Sequence, residues 1–171
     1  MADNSERLSS DAAAKLLGKL MLAWDGQWFL KTAQERGVET AVALNAKVRA
    51  SFGRIEIREF LRAKGHSGAR SVAEAVALLS EYQRIFLGEG MVAEWEMDGD
   101  TVAVCVSRCS PQEGAGKAGL RPDTPCVACE TVWDSWLEAV MPGSRWETQI
   151  HASMGRGAEV CRILLKQIQE K

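Results

Sequence analysis

The sequence predicts an α+β fold, in which about four N-terminal helices precede a β-β-α-β-β unit with an antiparallel sheet. Three observations predict it. Apolar residues recur every three to four positions up to residue 87, which is the period of a helix. After Gly88 they alternate in short runs, as strands do. The helical segments come before the strands instead of alternating with them, which is typical of α+β domains.

The helices follow from their start and stop signals. Asp11 is a suitable N-cap for the first helix, whose apolar stripe is interrupted at Gly26, resumes, and ends near Gly37. Residues 38–62 form a further amphipathic stretch. Ser71, three residues before a glutamate, begins the last helix with a capping-box pattern.

The second half of the chain has alternating apolar runs and dense turn residues. Residues 109–125 are rich in glycine and proline, which predicts a long loop. Thr124 and Pro125 then predict the start of a helix over residues 124–140. The strands are predicted at residues 91–97, 101–108, 145–151 and 158–166.

Composition limits the organisation and the partners. We expect a disordered N-terminus (residues 1–10), a helical subdomain (11–87) and an α+β, cysteine-containing subdomain (88–171) that shares its core with the helices. A formal net charge of -2 argues against a nucleic-acid partner. The absence of a long apolar run and of a secretory signal predicts no membrane partner and a cytoplasmic location.

All five cysteines lie in the C-terminal part of the chain, at positions 105, 109, 126, 129 and 161. An odd number of cysteines and a reducing compartment argue against a disulfide framework. Clustered cysteines in the cytosol are metal ligands, reactive thiols or buried apolar side chains. The residues alone leave these three alternatives open.

A metal site is the most specific of the three alternatives. We expect Cys109, Cys126, His151 and Cys161 to bind zinc or iron, with Cys129 as a substitute or a fifth member. The helix N-terminus favours a thiolate at Cys126, and Cys129, three residues later, shares its helix face.

Cys105 is predicted to be an ordinary sheet residue. It lies on the same strand as Cys109, and an extended strand would separate the two by about 13 Å. Two residues that far apart cannot ligate one ion.

Two of the six tryptophans suggest a ligand site in the helical part. Trp24 and Trp28 share a helix face, with Asp25 between them as a polar anchor. Together with Arg58, they could line a small-molecule pocket between helices and sheet. The alternative is that the tryptophans build the core and the charged residues form a solvated face.

Several segments carry a resemblance to a known family: AWDGQWF, RGVETAVALNAKV, FGRIEIREFL and VSRCSPQEGAGKAGL. Together they resemble uncharacterised cytosolic proteins of anaerobic prokaryotes that are similar to L-2-amino-thiazoline-4-carboxylic acid hydrolase-like proteins. The resemblance implies recurrent cysteines at Cys109, Cys126 and Cys161. It also implies cysteines where this sequence has Thr148 and His151, and of these two only histidine is a metal ligand.

These observations support three functional hypotheses. The first is a binding module that holds a metal ion and a small molecule. The alternative is a hydrolase of a small cyclic amide or thiazoline, in which a metal-bound water or the Cys126 thiolate attacks while Asp25 or Glu113 transfers protons. The third is a homodimer that pairs through an exposed apolar helix face.

Overall fold

A computed structural model describes residues 7–168, and in this part of the chain the predicted α+β class is confirmed. The helices are α1 (Ser10–Arg36), α2 (Val38–Lys64), α3 (Val72–Phe86), α4 (Ser110–Lys117) and α5 (Cys129–Val140). The strands are β1 (Met91–Asp98), β2 (Thr101–Cys109), β3 (Arg145–Ala152) and β4 (Cys161–Ile168). Single 3-10 turns occupy Gly88–Gly90, Thr124–Ala128 and Met154–Arg156.

The four strands form one sheet in the order β1-β2-β4-β3, with antiparallel neighbours throughout. The antiparallel arrangement was predicted. Side chains of a strand alternate between the two faces of the sheet. On β2 this alternation places Val102, Val104 and Val106 in the core, and β4 adds Ile163 and Leu165. The opposite face carries most of the charged side chains, so one face of the sheet is packed and the other is solvated.

The core lies between α2, α3, α5 and the packed face of the sheet. It contains residues from both halves of the chain, including Ile57, Leu79, Trp133 and Leu165. Edge-to-face aromatic contacts join Trp133 to Trp95 and to Trp136. In contrast, α1 has no buried residue and packs mainly on α2. No helix within residues 7–168 is long and apolar enough to cross a membrane.

Two sequence predictions about the N-terminal helices were wrong. Within residues 7–168, three helices precede the sheet, not about four, because α1 continues through Gly26, where a helix-interior glycine costs only about 1 kcal/mol. The N-cap of α1 is Ser9 and not Asp11, since the Ser9 side chain accepts the backbone N–H of Ala12. Residues 1–6 of the expected disordered terminus lie outside the described residues, and Ser10 is already helical.

The predicted loop over residues 109–125 contains α4. A proline lies in the first turn of α4, where a backbone N–H would have no acceptor within the helix, so the missing N–H of proline costs no hydrogen bond. Ala115 is buried, and α4 packs on the 3-10 turn that precedes α5. Tertiary packing therefore holds this short helix despite two glycines, as it often overrides propensity.

A polar cluster lies where α1, α2, α3 and α5 meet. Asp25 forms an ion pair with Arg49, and the indole N–H of Trp136 donates to Glu56 Oε1 at 2.6 Å. Glu56 Oε2 is buried and has no hydrogen-bond partner within the described residues, although Tyr82 lies beside this carboxyl. Burial raises the pKa of Glu56, whereas Trp136, Tyr82 and Arg49 each lower it by a smaller amount.

Replacing Glu56 with glutamine is expected to stabilise the protein at neutral pH by about 1 kcal/mol, because the amide retains an acceptor for Trp136 and removes a buried charge. A raised pKa in the folded state means that wild-type stability falls as the pH rises through that value. The difference in unfolding free energy between the wild type and Glu56→Gln should therefore narrow at acidic pH. Urea unfolding at several pH values measures it, and a gap that does not depend on pH would contradict the prediction.

Candidate thiol site

Four cysteines from four different elements lie close together at one end of the sheet. Cys109 ends β2, Cys126 lies in the 3-10 turn before α5, Cys129 begins α5 and Cys161 begins β4. Cys129 is near enough to each of the other three to interact with them electrostatically, and Cys109 likewise interacts with Cys126 and Cys161. We call these four residues the thiol cluster. All five cysteines of the chain are free thiols.

A β-bulge brings Cys109 into the cluster. Val106 pairs with Ala93 and Arg108 with Val92, so Ser107 is an extra residue that has no partner in β1. An extra residue reverses the alternation for the residues after it. Cys109 therefore packs against the core, whereas Cys105 lies on the solvated face, opposite the buried valines of β2.

A second bulge places His151 away from the cluster. Ile150 pairs with Ile163 and Ala152 with Arg162, so His151 is the unpaired extra residue of β3. His151 is exposed, whereas Cys161 lies on the packed face of β4. The structure thus brings together three of the four expected ligands, Cys109, Cys126 and Cys161. The fourth member of the cluster is Cys129, the expected substitute, and not His151.

Hydrogen bonds hold the sulfur atoms of the cluster. The backbone N–H of Met154 donates to Cys161 Sγ at 3.3 Å, and Cys126 Sγ lies 3.3 Å from Ser153 Oγ. The backbone N–H of Gln112 lowers the pKa of Cys109 and the side chain of Trp133 lowers that of Cys129, in each case against the larger effect of burial. N–H donors directed at sulfur stabilise the thiolate form.

Burial opposes ionisation in the absence of a cation. It raises the pKa of Cys109 to about 11, and it raises the pKa of Cys129 to about 12 together with the neighbouring thiols. Both side chains are therefore neutral thiols at physiological pH. A positive charge at the centre of the cluster would reverse this preference, since a coordinating cation deprotonates thiols.

The four sulfur atoms are not arranged as a metal coordination shell. Within residues 7–168, no three His, Cys, Asp or Glu side chains are placed so that they could hold a metal ion. A cysteine sulfur is repositioned by rotation about a single side-chain torsion. This rotation is the step that metal binding would require.

The residues expected to line a ligand pocket do not meet at one site. Trp24 and Trp28 contact each other edge to face, but 62% and 60% of their surfaces are exposed on α1. Asp25 pairs with Arg49. Arg58 lies elsewhere, at a shallow depression that it shares with residues of α2, the following turn and α5, among them His66 and Glu138. The interior between helices and sheet is filled by the aromatic core.

The candidate proton-transfer residues are also separated. Glu113 is the only one near the cluster, since it interacts electrostatically with Cys109. It forms an ion pair with Arg108 at 3.0 Å, and the hydrogen bond in this pair lowers the pKa of Glu113. Asp25 lies on α1, in the polar cluster described above.

The sequence predicts a turn after β3 but not its position against the thiol cluster. Ser153 is buried and touches Cys126, while Gly155 allows the same turn to approach Cys126 closely. The only signal in the sequence was a small-residue segment, ASMGRG, between two strands, and such segments are common in ordinary turns.

Comparisons with known proteins bear on the fold alone. No family model matches the chain, and no curated protein matches it. A similar solved structure is that of trafficking protein particle complex subunit 3 from Naegleria fowleri, covalently bound to palmitic acid. The two share a TM-score of 0.60 and 17% sequence identity, over 91% of this chain and 97% of the other.

Proposed function

We propose that this protein is a metal-binding module in which Cys109, Cys126, Cys129 and Cys161 hold one zinc ion, with iron as the second choice. The observation that carries this proposal is the convergence of four thiols from four separate elements of the fold. Four thiolates are a common ligand set of structural zinc and of iron–sulfur centres.

The surroundings of the sulfur atoms favour ligands over an inert apolar contact. An ordinary buried cysteine packs as a small apolar side chain and needs no donors. Here Cys161 accepts a hydrogen bond from the Met154 N–H, and the Gln112 backbone and the Trp133 side chain lower the pKa of Cys109 and Cys129. Donors around ligand atoms orient the ligands and tune the metal. They also offset part of the rise in pKa by which burial keeps the free thiols neutral.

The same ligand set favours a binding module over a hydrolase. Four thiolates complete a tetrahedral shell and leave no position for an attacking water, whereas catalytic zinc sites have three protein ligands. The candidate carboxylate that acts on Cys109, Glu113, is held by Arg108 and its pKa is lowered, which makes it a weak base.

Two further expectations belong to the proposal. Five free cysteines fit a reducing compartment, so we place the protein in the cytoplasm. A small-molecule ligand would bind at the Arg58 depression, where His66 and Glu138 supply polar groups. The function assigned here depends on the metal and not on this ligand.

The test is metal analysis of protein purified without oxygen or chelator, combined with titration of reactive thiols. We expect about one zinc or iron per chain and four thiols that react only after the metal is removed. Cys129→Ser should weaken zinc binding by about 100-fold or more, and the matched control Cys105→Ser should bind zinc as the wild type does. No metal after zinc loading, with five freely reacting thiols, would overturn the proposal.

A further inference from the structure

The outer face of α1 is an uncovered apolar surface. It is formed by six side chains that each expose 43–63% of their surface, and we call it the α1 face. Its members are Leu16, Leu17, Leu20, Met21, Trp24 and Trp28. A helix that packs on its own chain through one face normally carries polar residues on the other. On α1, large apolar side chains are exposed as well.

The exposed area is that of an interface. Six large apolar side chains exposed to this degree present roughly 750 Å² per chain, near the 800 Å² that each partner contributes to a standard stable interface. The largest apolar patch of a typical monomer covers only about 300–600 Å². The neighbouring helix α2 adds Leu44, Val48 and Ile55, which are about half exposed.

The charges of α1 argue against a lipid surface as the occupant. Helices that lie on membranes carry mainly Lys and Arg on their polar face. In α1 the charges are nearly balanced, with four basic residues (Lys15, Lys19, Lys31, Arg36) and three acidic ones (Asp11, Asp25, Glu35). Between Leu17 and Trp28 the only charges are Lys19 and Asp25, and Asp25 is turned toward α2 by its ion pair with Arg49.

The order of side chains on the face makes it complementary to itself. If two copies of α1 cross in antiparallel orientation at the level of Leu22 and Ala23, Trp28 of one copy meets Leu17 of the other, and Trp24 meets Met21. Each indole then packs on an aliphatic side chain, and the same residues serve both copies, as a two-fold interface requires. Such crossings pair residues at helical spacing of three and four, which these positions have.

We propose that the α1 face is the interface of a homodimer, in which a second copy of this chain covers Trp24 and Trp28. The dimer does not depend on the metal, so its test is independent of the function proposed above. Trp24 and Trp28 lie at the centre of the contact, where tryptophan side chains commonly carry much of the binding energy. The thiol cluster belongs to other elements and is left free.

The experiment is sedimentation velocity and light scattering of the full chain over a dilution series. We expect a species of twice the chain mass of 18.7 kDa. Trp24→Glu and Leu17→Glu should each raise the dissociation constant by about 30-fold or more. Both positions are exposed in the single chain, so the helical circular dichroism should persist. The matched control is Ile85→Glu, at an exposed position of α3, which should dimerise as the wild type does.

Three results would overturn the proposal. The wild type could remain a monomer at all concentrations. It could form a dimer that neither substitution on the face weakens. It could remain a monomer that sediments with phosphatidylserine vesicles and loses this binding in Trp24→Glu, which would assign the face to lipid.

Discussion

Replacing Trp133 with alanine is expected to lower the free energy of unfolding by about 3–5 kcal/mol, the largest effect of any single change described for this chain. The side chain is 1% exposed and contacts both Trp95 and Trp136, so its removal leaves a cavity between α5 and the sheet. Close-packed neighbours can fill only part of such a cavity. Urea unfolding monitored by circular dichroism measures the loss.

Two further variants separate packing from polarity. Trp133→Phe retains most of the ring volume but removes the indole N–H that lowers the pKa of Cys129, so it should lose less stability than alanine and still weaken zinc binding. Ile85→Ala, at an exposed position of the neighbouring helix α3, should change stability by less than about 0.5 kcal/mol. Equal losses of unfolding free energy in Trp133→Ala and Ile85→Ala would contradict the central position of Trp133 in the core.

The fold class could be predicted because the hydrophobic period changes from helical to alternating near Gly88, with one further helical segment before the last two strands. Helical spacing before residue 87 and alternation after it placed the long helices and all four strands close to their observed bounds. The short helix α4 could not be predicted in this way. Its local sequence favours a loop, and it is held by the packing of Ala115 on a segment that follows it in the chain.

The candidate site was less predictable because two bulges change the faces of its residues. Strict alternation puts Cys109 on the same face as Cys105, and the extra residue Ser107 separates them. The second extra residue is His151 itself. A bulge depends on the pairing of two strands, so the sequence of one strand does not reveal it. The proximity of Cys129 to three thiols arises in the same way, from the docking of α5 on the sheet.

The tryptophans show the same limit in the helices. Trp24 and Trp28 are four residues apart, and Trp133 and Trp136 are three apart, so both pairs have the spacing of one helix face. The first pair is exposed and the second is buried. Spacing predicts which side chains share a face, but only the tertiary structure shows whether another element covers that face.

Replacing Gly155 with alanine is expected to destabilise the protein by about 2 kcal/mol and to weaken zinc binding at the same time. A Cβ at this position would lie 2.7 Å from Cys126 Sγ, 2.7 Å from the Pro122 carbonyl oxygen and 2.9 Å from Asp123 Cα. Two of these three atoms belong to the backbone, so the turn that carries Gly155 has to move away. Ser153 and Met154 would move with it, and they supply the hydrogen bonds to Cys126 and Cys161.

Gly114→Ala is the matched control, because its Cβ would meet no atom within 4 Å. Gly114 lies inside α4, where alanine is preferred over glycine by up to about 1 kcal/mol, so this variant should be as stable as the wild type or more stable. Urea unfolding and competition with a zinc chelator measure the two effects. If Gly155→Ala lost stability but bound zinc as the wild type does, the turn would not support the ligands. If it lost neither, the close contact between the turn and Cys126 would be wrong.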